Sequence, residues 1–302
     1  MIVRIARVGP FARRFLEQHA SARVSAVFAR SLHLEAGDDA LCVVDATLGN
    51  GALNAVLTQP FATFPAPAVG ATARIAARRI TTGDGHHFDA AAAADWSPTR
   101  ADLSPPSPAV VAALMQAALA RAPADGAFRA ALDDGHAASS PVERALRERT
   151  RALSRWMATG EGAPPVSGLI GLGSGLTPAG DDFIGGAMIA LRLAGRPEVA
   201  AAIAGQVAAG VGATTILSGA MLRAAAGGIG GETLHETLFA LSAGDEARAI
   251  ALLAQVARIG HTSGWDALAG ALAALGASFG RFRPECAAAS SGDNQRLTLS
   301  ES

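Results

Sequence analysis

Segment 168–183 is a glycine-rich turn that ends in two adjacent aspartates, a combination suited to binding and activating a small ligand. Its glycines permit positive φ and a close approach of the backbone to a ligand. Three of them are spaced two apart: Gly171, Gly173 and Gly175. The pair Thr177-Pro178 predicts a helix start, with Thr177 as the cap and proline in the first helical position. The free N–H groups of that helix start would then face a ligand in the turn.

The spacing excludes two familiar glycine motifs. A dinucleotide fingerprint needs Gly-x-Gly-x-x-Gly, but its third glycine position falls on Leu176 or Pro178. A phosphate loop needs lysine and a hydroxyl residue after its last glycine, whereas Asp181-Asp182 follows Gly180. Two carboxylates about 4 Å from a phosphate repel it by several kcal/mol, so a phosphate there needs a cation or arginines. Alternatively, the carboxylates face the amide end of a substrate.

Asp181 and Asp182 are the first catalytic candidates. Adjacent helical residues point about 100° apart, so one aspartate should face the ligand while the other supports it. The facing carboxylate could accept a hydrogen bond from an NH₂ group or hold Mg²⁺, the candidate cofactor, through water. The alternative is structural, because the helix dipole favours acids in the first turn.

Two further segments, 212–219 and 260–264, combine hydroxyls with glycine at predicted helix starts, and the three starts could converge on one anion or carbamoyl oxygen. His261 is the candidate for proton transfer. Capping is the alternative: Ser263 would be an N-cap, with Asp266 at capping-box spacing. The predicted ligand-binding residues are Gly171, Gly173, Ser174, Gly175, Thr177, Gly180, Thr214, Thr215, Ser218, Thr262, Ser263 and Gly264.

The glycine-aspartate segment, together with Gly260-His261-Thr262-Ser263-Gly264-Trp265-Asp266-Ala267-Leu268, resembles the family of the AllH subunit of oxamate carbamoyltransferase. The resemblance extends from about Ser25 to about Phe282. It implies a role in the last steps of allantoin breakdown, where oxalurate and phosphate give oxamate and carbamoyl phosphate. It also implies partners, an FdrA-like subunit and a third carbamoyltransferase subunit, and a small anionic metabolite as ligand.

Composition excludes several mechanisms. The 302 residues contain no lysine and no tyrosine, so Schiff-base chemistry, a phosphate-loop lysine and a tyrosine acid are impossible. Arginine therefore supplies the permanent cations, and Arg30, Arg192 and Arg223 are candidates for pairing an anion, although exposed arginines usually serve as salt-bridge partners.

A net charge of −1 without a basic stripe argues against nucleic-acid binding. We expect no membrane span or export signal, and therefore a cytoplasmic protein.

Hydrophobic periodicity predicts an α+β protein. Strands are expected at 22–34, 39–47, 52–58 and 67–82, with a hairpin turn at Gly37-Asp38-Asp39. Helical spacing is found in 108–121, 141–158, 181–194, 197–209, 213–226, 232–242, 245–259 and 265–279. We predict a β-rich region at 1–103, a helical domain at 104–283 that carries the glycine-aspartate turn, and a disordered tail at 284–302.

Three functions remain open from the sequence. The first is a carbamoyltransferase subunit that binds a small carboxylate, carbamoyl or phosphate ligand at helix N-termini. The second is a non-catalytic subunit that binds a ligand or organises a metabolic complex. The third is a metal-dependent hydrolase that uses Asp181 and Asp182 as metal ligands.

Overall fold

A computed structural model describes residues 2–59, 67–99 and 101–280 of the chain. The strands of this part are β1 (Ile2–Val8), β2 (Ser21–Phe28), β3 (Ser31–Ala36), β4 (Asp39–Val44), β5 (Asn54–Leu57), β6 (Thr72–Ala76), β7 (Arg79–Thr82), β8 (His87–Asp89) and β9 (Ala94–Asp95). The helices are α1 (Pro10–Gln18), α2 (Pro108–Leu119), α3 (Ala127–Leu132), α4 (Pro141–Thr159), α5 (Ala179–Leu193), α6 (Pro197–Gly210), α7 (Ile216–Ala226), α8 (Glu232–Ser242), α9 (Glu246–Val256) and α10 (Ser263–Phe279). The predicted α+β class is confirmed. The predicted tail at 284–302 lies outside the described residues.

The strands form one sheet that closes on itself. Its order is β5-β4-β3-β2-β6-β7-β8-β1-β9, and β5 also pairs with β1. Most neighbours are antiparallel, whereas β4–β5, β1–β8 and β1–β9 are parallel. Alternate side chains such as Val24, Leu32, Leu34 and Ile80 fill the interior at 0% exposure. The period of two in the sequence therefore reports the inward face of the closed sheet.

Two of the predicted strands are each two strands. The segment 22–34 divides into β2 and β3 at Ala29-Arg30, and 67–82 divides into β6 and β7 at Ala77-Arg78. Ala77 and Arg78 have φ of 48° and 58°, as in a tight hairpin turn. Such turns usually contain glycine or asparagine, so two ordinary residues gave no turn signal. The Gly37 turn between β3 and β4 is where it was predicted.

The helical part is organised around the long contact between α5 and α10. A Cβ on Gly186 would lie 1.9 Å from the Ala267 carbonyl oxygen, and one on Gly270 would lie 1.9 Å from that of Phe183. Only glycine permits the two backbones to approach this closely. In the described part of the chain, none of the helices combines the length and the apolar character needed to cross a membrane.

The outer face of β4 packs against α7. Cys42 and Val44, which point away from the interior of the closed sheet, join Leu217, Ala220 and Ala224 in one apolar cluster. The sheet and the helices are therefore in direct contact. The division of the chain at residue 103 stays a prediction.

Candidate functional site

A cavity of about 770 Å³ lies between the closed sheet and the helices. The sheet contributes the outer face of β4 and the loop that leads from it to β5. The helical part contributes α5, α7 and the residues just before α8 and α10. This volume lies in the usual range for small-molecule sites.

The three predicted helix starts converge beside this cavity. Thr177 Oγ1 lies 2.6 Å from Ser263 Oγ, which joins the start of α5 to that of α10. Ser218 Oγ donates to Asp181 Oδ2 at 2.8 Å, which joins α7 to α5. The glycine turn before α5 has the predicted positive φ, with 73° at Gly171.

Two predicted caps are wrong. Pro178, not Thr177, is the N-cap of α5, because helical dihedrals begin at Ala179. Thr262, not Ser263, is the N-cap of α10, and neither cap makes a side-chain capping bond. The hydroxyls of Thr177 and Ser263 are instead turned towards each other at the cavity wall.

The predicted capping box at Ser263…Asp266 is also wrong. Asp266 Oδ1 accepts from the backbone N–H groups of Ala127 and Phe128, at 2.6 and 3.1 Å. The carboxyl group therefore caps the start of α3, a helix that the sequence did not predict. Burial raises the pKa of Asp266 to about 7, although these backbone hydrogen bonds and one to Thr262 oppose the shift.

Asp181 links the start of α5 to the glycine turn and to the start of α7 through hydrogen bonds. Asp181 is 2% exposed, and its Oδ1 accepts from the Gly171 N–H at 2.9 Å. Oδ2 accepts from the hydroxyls of Thr214 and Ser218. Both oxygens are thus occupied by protein donors, which makes Asp181 a positioning residue in this structure.

Asp182 points a different way, as its position one residue along the helix requires. It lines the cavity, and its Oδ2 is buried without a hydrogen-bond partner. Burial raises the pKa of Asp182 well above the usual value, and the charges of Asp266 and Asp181 add to this. Hydrogen bonds from Ser263 and Thr177 act in the opposite direction. The raised pKa favours the neutral carboxylic acid form of Asp182, which can donate a proton or a hydrogen bond.

Residues 169–275 match the family model described as oxamate carbamoyltransferase subunit AllH. This part of the chain is therefore similar to the AllH-type family. The match supports a subunit of an oxamate carbamoyltransferase-type system. It begins in the glycine turn and ends within α10, so it is shorter than the predicted range of 25–282. No curated protein and no solved structure matches the chain.

The cavity divides the predicted ligand-binding residues into two groups, those that line it and those that do not. Those that line the cavity are Ser174, Gly175, Thr177, Ser218, Thr262, Ser263 and Gly264. Those that do not line it are Gly171, Gly173, Gly180, Thr214 and Thr215. The second group serves the packing of the turn: a Cβ on Gly180, for example, would lie 2.1 Å from the Leu169 carbonyl oxygen. Thr215 caps α7 and donates to the Leu176 carbonyl.

His261 lies at the exposed rim of the cavity. Its side chain is 75% exposed, and Nε2 lies 3.2 Å from Asp125 Oδ1. Asp182 is half-buried and its Oδ2 is fully buried, so its carboxyl group is better shielded from water than the His261 ring. The structure therefore favours Asp182 over His261 for proton transfer to a bound ligand.

The predicted Mg²⁺ site at Asp181 and Asp182 has few free ligands. The oxygens of Asp181 already accept three hydrogen bonds. Across the described ranges no group of three or more His, Cys, Asp or Glu side chains is arranged to hold a metal ion. The donor set does not favour a metal-dependent hydrolase.

Several polar residues of the cavity were not predicted as ligand-binding residues. Among them, Asn50 comes from the loop before β5 and Glu232 from the start of α8. Arg30 and Arg258 also line the cavity, and Arg30 Nη2 donates to the Arg258 carbonyl oxygen at 2.8 Å. Arg30 had been a candidate for anion pairing. Arg223 instead contacts the Asp38 carbonyl and Asp39 outside the cavity. The pairs are far apart in sequence, so no local pattern could have revealed them.

Proposed function

We propose that the chain is a subunit of an oxamate carbamoyltransferase-like enzyme and that its cavity binds the carbamoyl-bearing substrate. The observation that carries this proposal is the carboxyl group of Asp182, which has a raised pKa and whose Oδ2 is buried without a partner in the cavity wall. The family match supports the class of enzyme. An FdrA-like subunit and a third subunit would complete the complex, in cytoplasmic allantoin and purine breakdown.

The reaction proposed is the conversion of oxalurate and phosphate to oxamate and carbamoyl phosphate. A phosphate oxygen bonds to the carbamoyl carbon, and the bond from this carbon to the oxamate nitrogen breaks. That nitrogen gains one proton and the attacking phosphate loses one. A neutral Asp182 can give its proton to the leaving nitrogen and regain one from the phosphate.

The surroundings of Asp182 suit this role. The hydroxyls of Thr177 and Ser263 lie beside it and can donate to a carbamoyl or carboxylate oxygen. Arg30 and Arg258 line the cavity, and their positive charges can attract an anionic substrate and phosphate. No covalent step on the protein is needed, because positioning and charge stabilisation suffice for direct attack.

The test compares Asp182→Asn and Asp182→Ala with the parent. Calorimetry measures binding of oxalurate, oxamate, phosphate and carbamoyl phosphate to the purified chain. Turnover is measured with the chain reconstituted with its partner subunits. Asp182→Asn should bind oxalurate within a few-fold of the parent, because an amide still donates a hydrogen bond, but should lose about 10²–10⁴-fold in turnover. Asp182→Ala should lose about tenfold in binding as well.

The matched control is Asp102→Asn, which changes an exposed aspartate outside the cavity and should leave both quantities unchanged. Turnover by Asp182→Asn within a few-fold of the parent would rule out the acid role. If the parent chain binds none of the four compounds, this cavity is not the substrate site of the isolated subunit, and a scaffold role becomes the better description.

A further inference from the structure

The cavity has a second polar end, formed by Asn50 and Glu232, which we call the asparagine end. Glu232 Oε2 accepts from the backbone N–H and the side-chain Nδ2 of Asn50, at 3.1 and 2.8 Å. Asn50 is only 2% exposed, and its Oδ1 is buried without a partner. Both residues line the cavity. A buried acceptor without a donor is costly, so this end is suited to a ligand that supplies one.

Positions along helix α5 indicate how far the asparagine end is from Asp182. Asp182 and Ile189 both line the cavity, and they are seven residues apart on this helix. At 1.5 Å per residue this corresponds to about 10 Å. Ile189 Cδ1 lies 2.5 Å from the Cβ position of Gly230, two residues before Glu232. The segment that leads into the asparagine end therefore contacts α5 about two helical turns from Asp182.

Part of the cavity wall is apolar. Val44 of β4, Leu217 and Met221 of α7, and Ile229 line the cavity and belong to one apolar cluster. Oxalurate consists of a few heavy atoms and would occupy only part of a cavity of about 770 Å³. The remaining length and its apolar wall fit a hydrocarbon chain.

We propose that the cavity binds an elongated carbamoyl compound, with its ureido group at Asp182, an apolar chain beside Met221, and an N–H donor, amine or amide, at Asn50 and Glu232. This inference rests on the proposed function, since it places the carbamoyl group at Asp182. It assigns a substrate class wider than oxalurate: ureido compounds whose far end carries hydrogen-bond donors.

The test uses matched pairs of ligands. Each ω-ureidoalkylamine, with two to eight methylene groups, is compared by calorimetry with the alkylurea that lacks the terminal amine. A protonated amine bound to Glu232 should tighten binding by about tenfold or more at the best length. The gain should be largest at about four to six methylene groups, which match the separation along α5. An ω-ureidoalkylamide series separates an amide donor from an ammonium.

Glu232→Gln should reduce the gain from the amine to about twofold or less, while the binding of the alkylureas stays unchanged. Glu236→Gln is the matched control: it lies on the same helix, pairs with Arg248 and is absent from the cavity wall. If Glu232→Gln fails to fold, Met221→Phe serves instead. It narrows the middle of the cavity and should weaken the long amines but leave oxalurate binding intact.

The outcomes separate the two proposals. Oxalurate binding without any gain from a terminal amine would overturn the asparagine end alone. A gain that survives Glu232→Gln would overturn it too. Failure of oxalurate, alkylureas and ureidoalkylamines to bind would overturn the proposed function, and the asparagine end with it.

Discussion

Replacing Asp266 by asparagine should weaken the dependence of folding stability on pH. Asp266 is 0% exposed, and burial raises its pKa from 3.8 to about 7, with a further contribution from the charge of Asp125. The folded chain therefore keeps a proton on Asp266 that the unfolded chain releases near pH 4. Asparagine keeps an oxygen that can accept from Ala127 and Phe128 but has no proton to lose.

The magnitude follows from the difference between the two pKa values. Between pH 4 and 7 the folded state binds more protons than the unfolded state, so the free energy of unfolding falls as the pH rises. One pKa unit corresponds to about 1.4 kcal/mol. From pH 5 to pH 8 the part due to Asp266 is about two units, or roughly 3 kcal/mol. Above about pH 8 it is nearly constant, because Asp266 is then ionised in both states.

Urea unfolding followed by circular dichroism at pH 5, 6, 7 and 8 measures this difference. The parent should lose about 3 kcal/mol more than Asp266→Asn across the range. The variant keeps some slope, because burial also raises the pKa of Asp182. Asp102→Asn, an exposed control, should follow the parent. Parallel curves for the parent and Asp266→Asn would show that Asp266 is ionised in the folded protein and that the reasoning from burial is wrong.

Two other predictions concern packing and the helix starts. Gly186→Ala should destabilise the fold by about 2 kcal/mol or more, because the added Cβ would collide with the Ala267 carbonyl oxygen. Gly205→Ala, which adds a Cβ in open space on α6, should instead stabilise the fold by up to about 1 kcal/mol. Thermal unfolding of both variants shows whether the two effects have these opposite signs. Asp181→Ala should cost about 3 kcal/mol or more in urea unfolding, because it leaves three donors unpaired, and a loss below 1 kcal/mol would contradict its role as the link between the segments.

Helices were more predictable than strands, for a physical reason. An apolar stripe of period 3.6 persists over three or more turns, so most helix bounds fell within three residues of those observed. The six-residue helix α3 is too short for such a pattern and begins without a cap of its own. Its cap comes from Asp266, 139 residues away from Ala127. Strand bounds failed where a hairpin turned without glycine, as at Ala77-Arg78.

The sequence predicted only those parts of the candidate site whose residues are close together in the chain. The glycine turn and its two aspartates are contiguous, and helix geometry alone requires the aspartates to point in different directions. Both line the cavity, and which of them keeps an oxygen without a protein partner depends on Thr214 and Ser218, whose hydroxyls donate to Asp181. The contact of Asn50 with Glu232 spans 182 residues and follows from how the sheet packs on the helices.

The family match and the two ends of the cavity bear on how specificity would be divided. Asp182 and Glu232 both lie in the matched range 169–275, whereas Asn50 and Val44 come from the sheet outside it. On our proposal, the matched helices carry the acid that acts on the carbamoyl group. The sheet side then helps to bind the far end of the ligand and forms part of the cavity wall beside the ligand's apolar chain. Substitutions on the outer face of β4 and in the loop after it should therefore change which chain lengths bind, without changing the environment of Asp182.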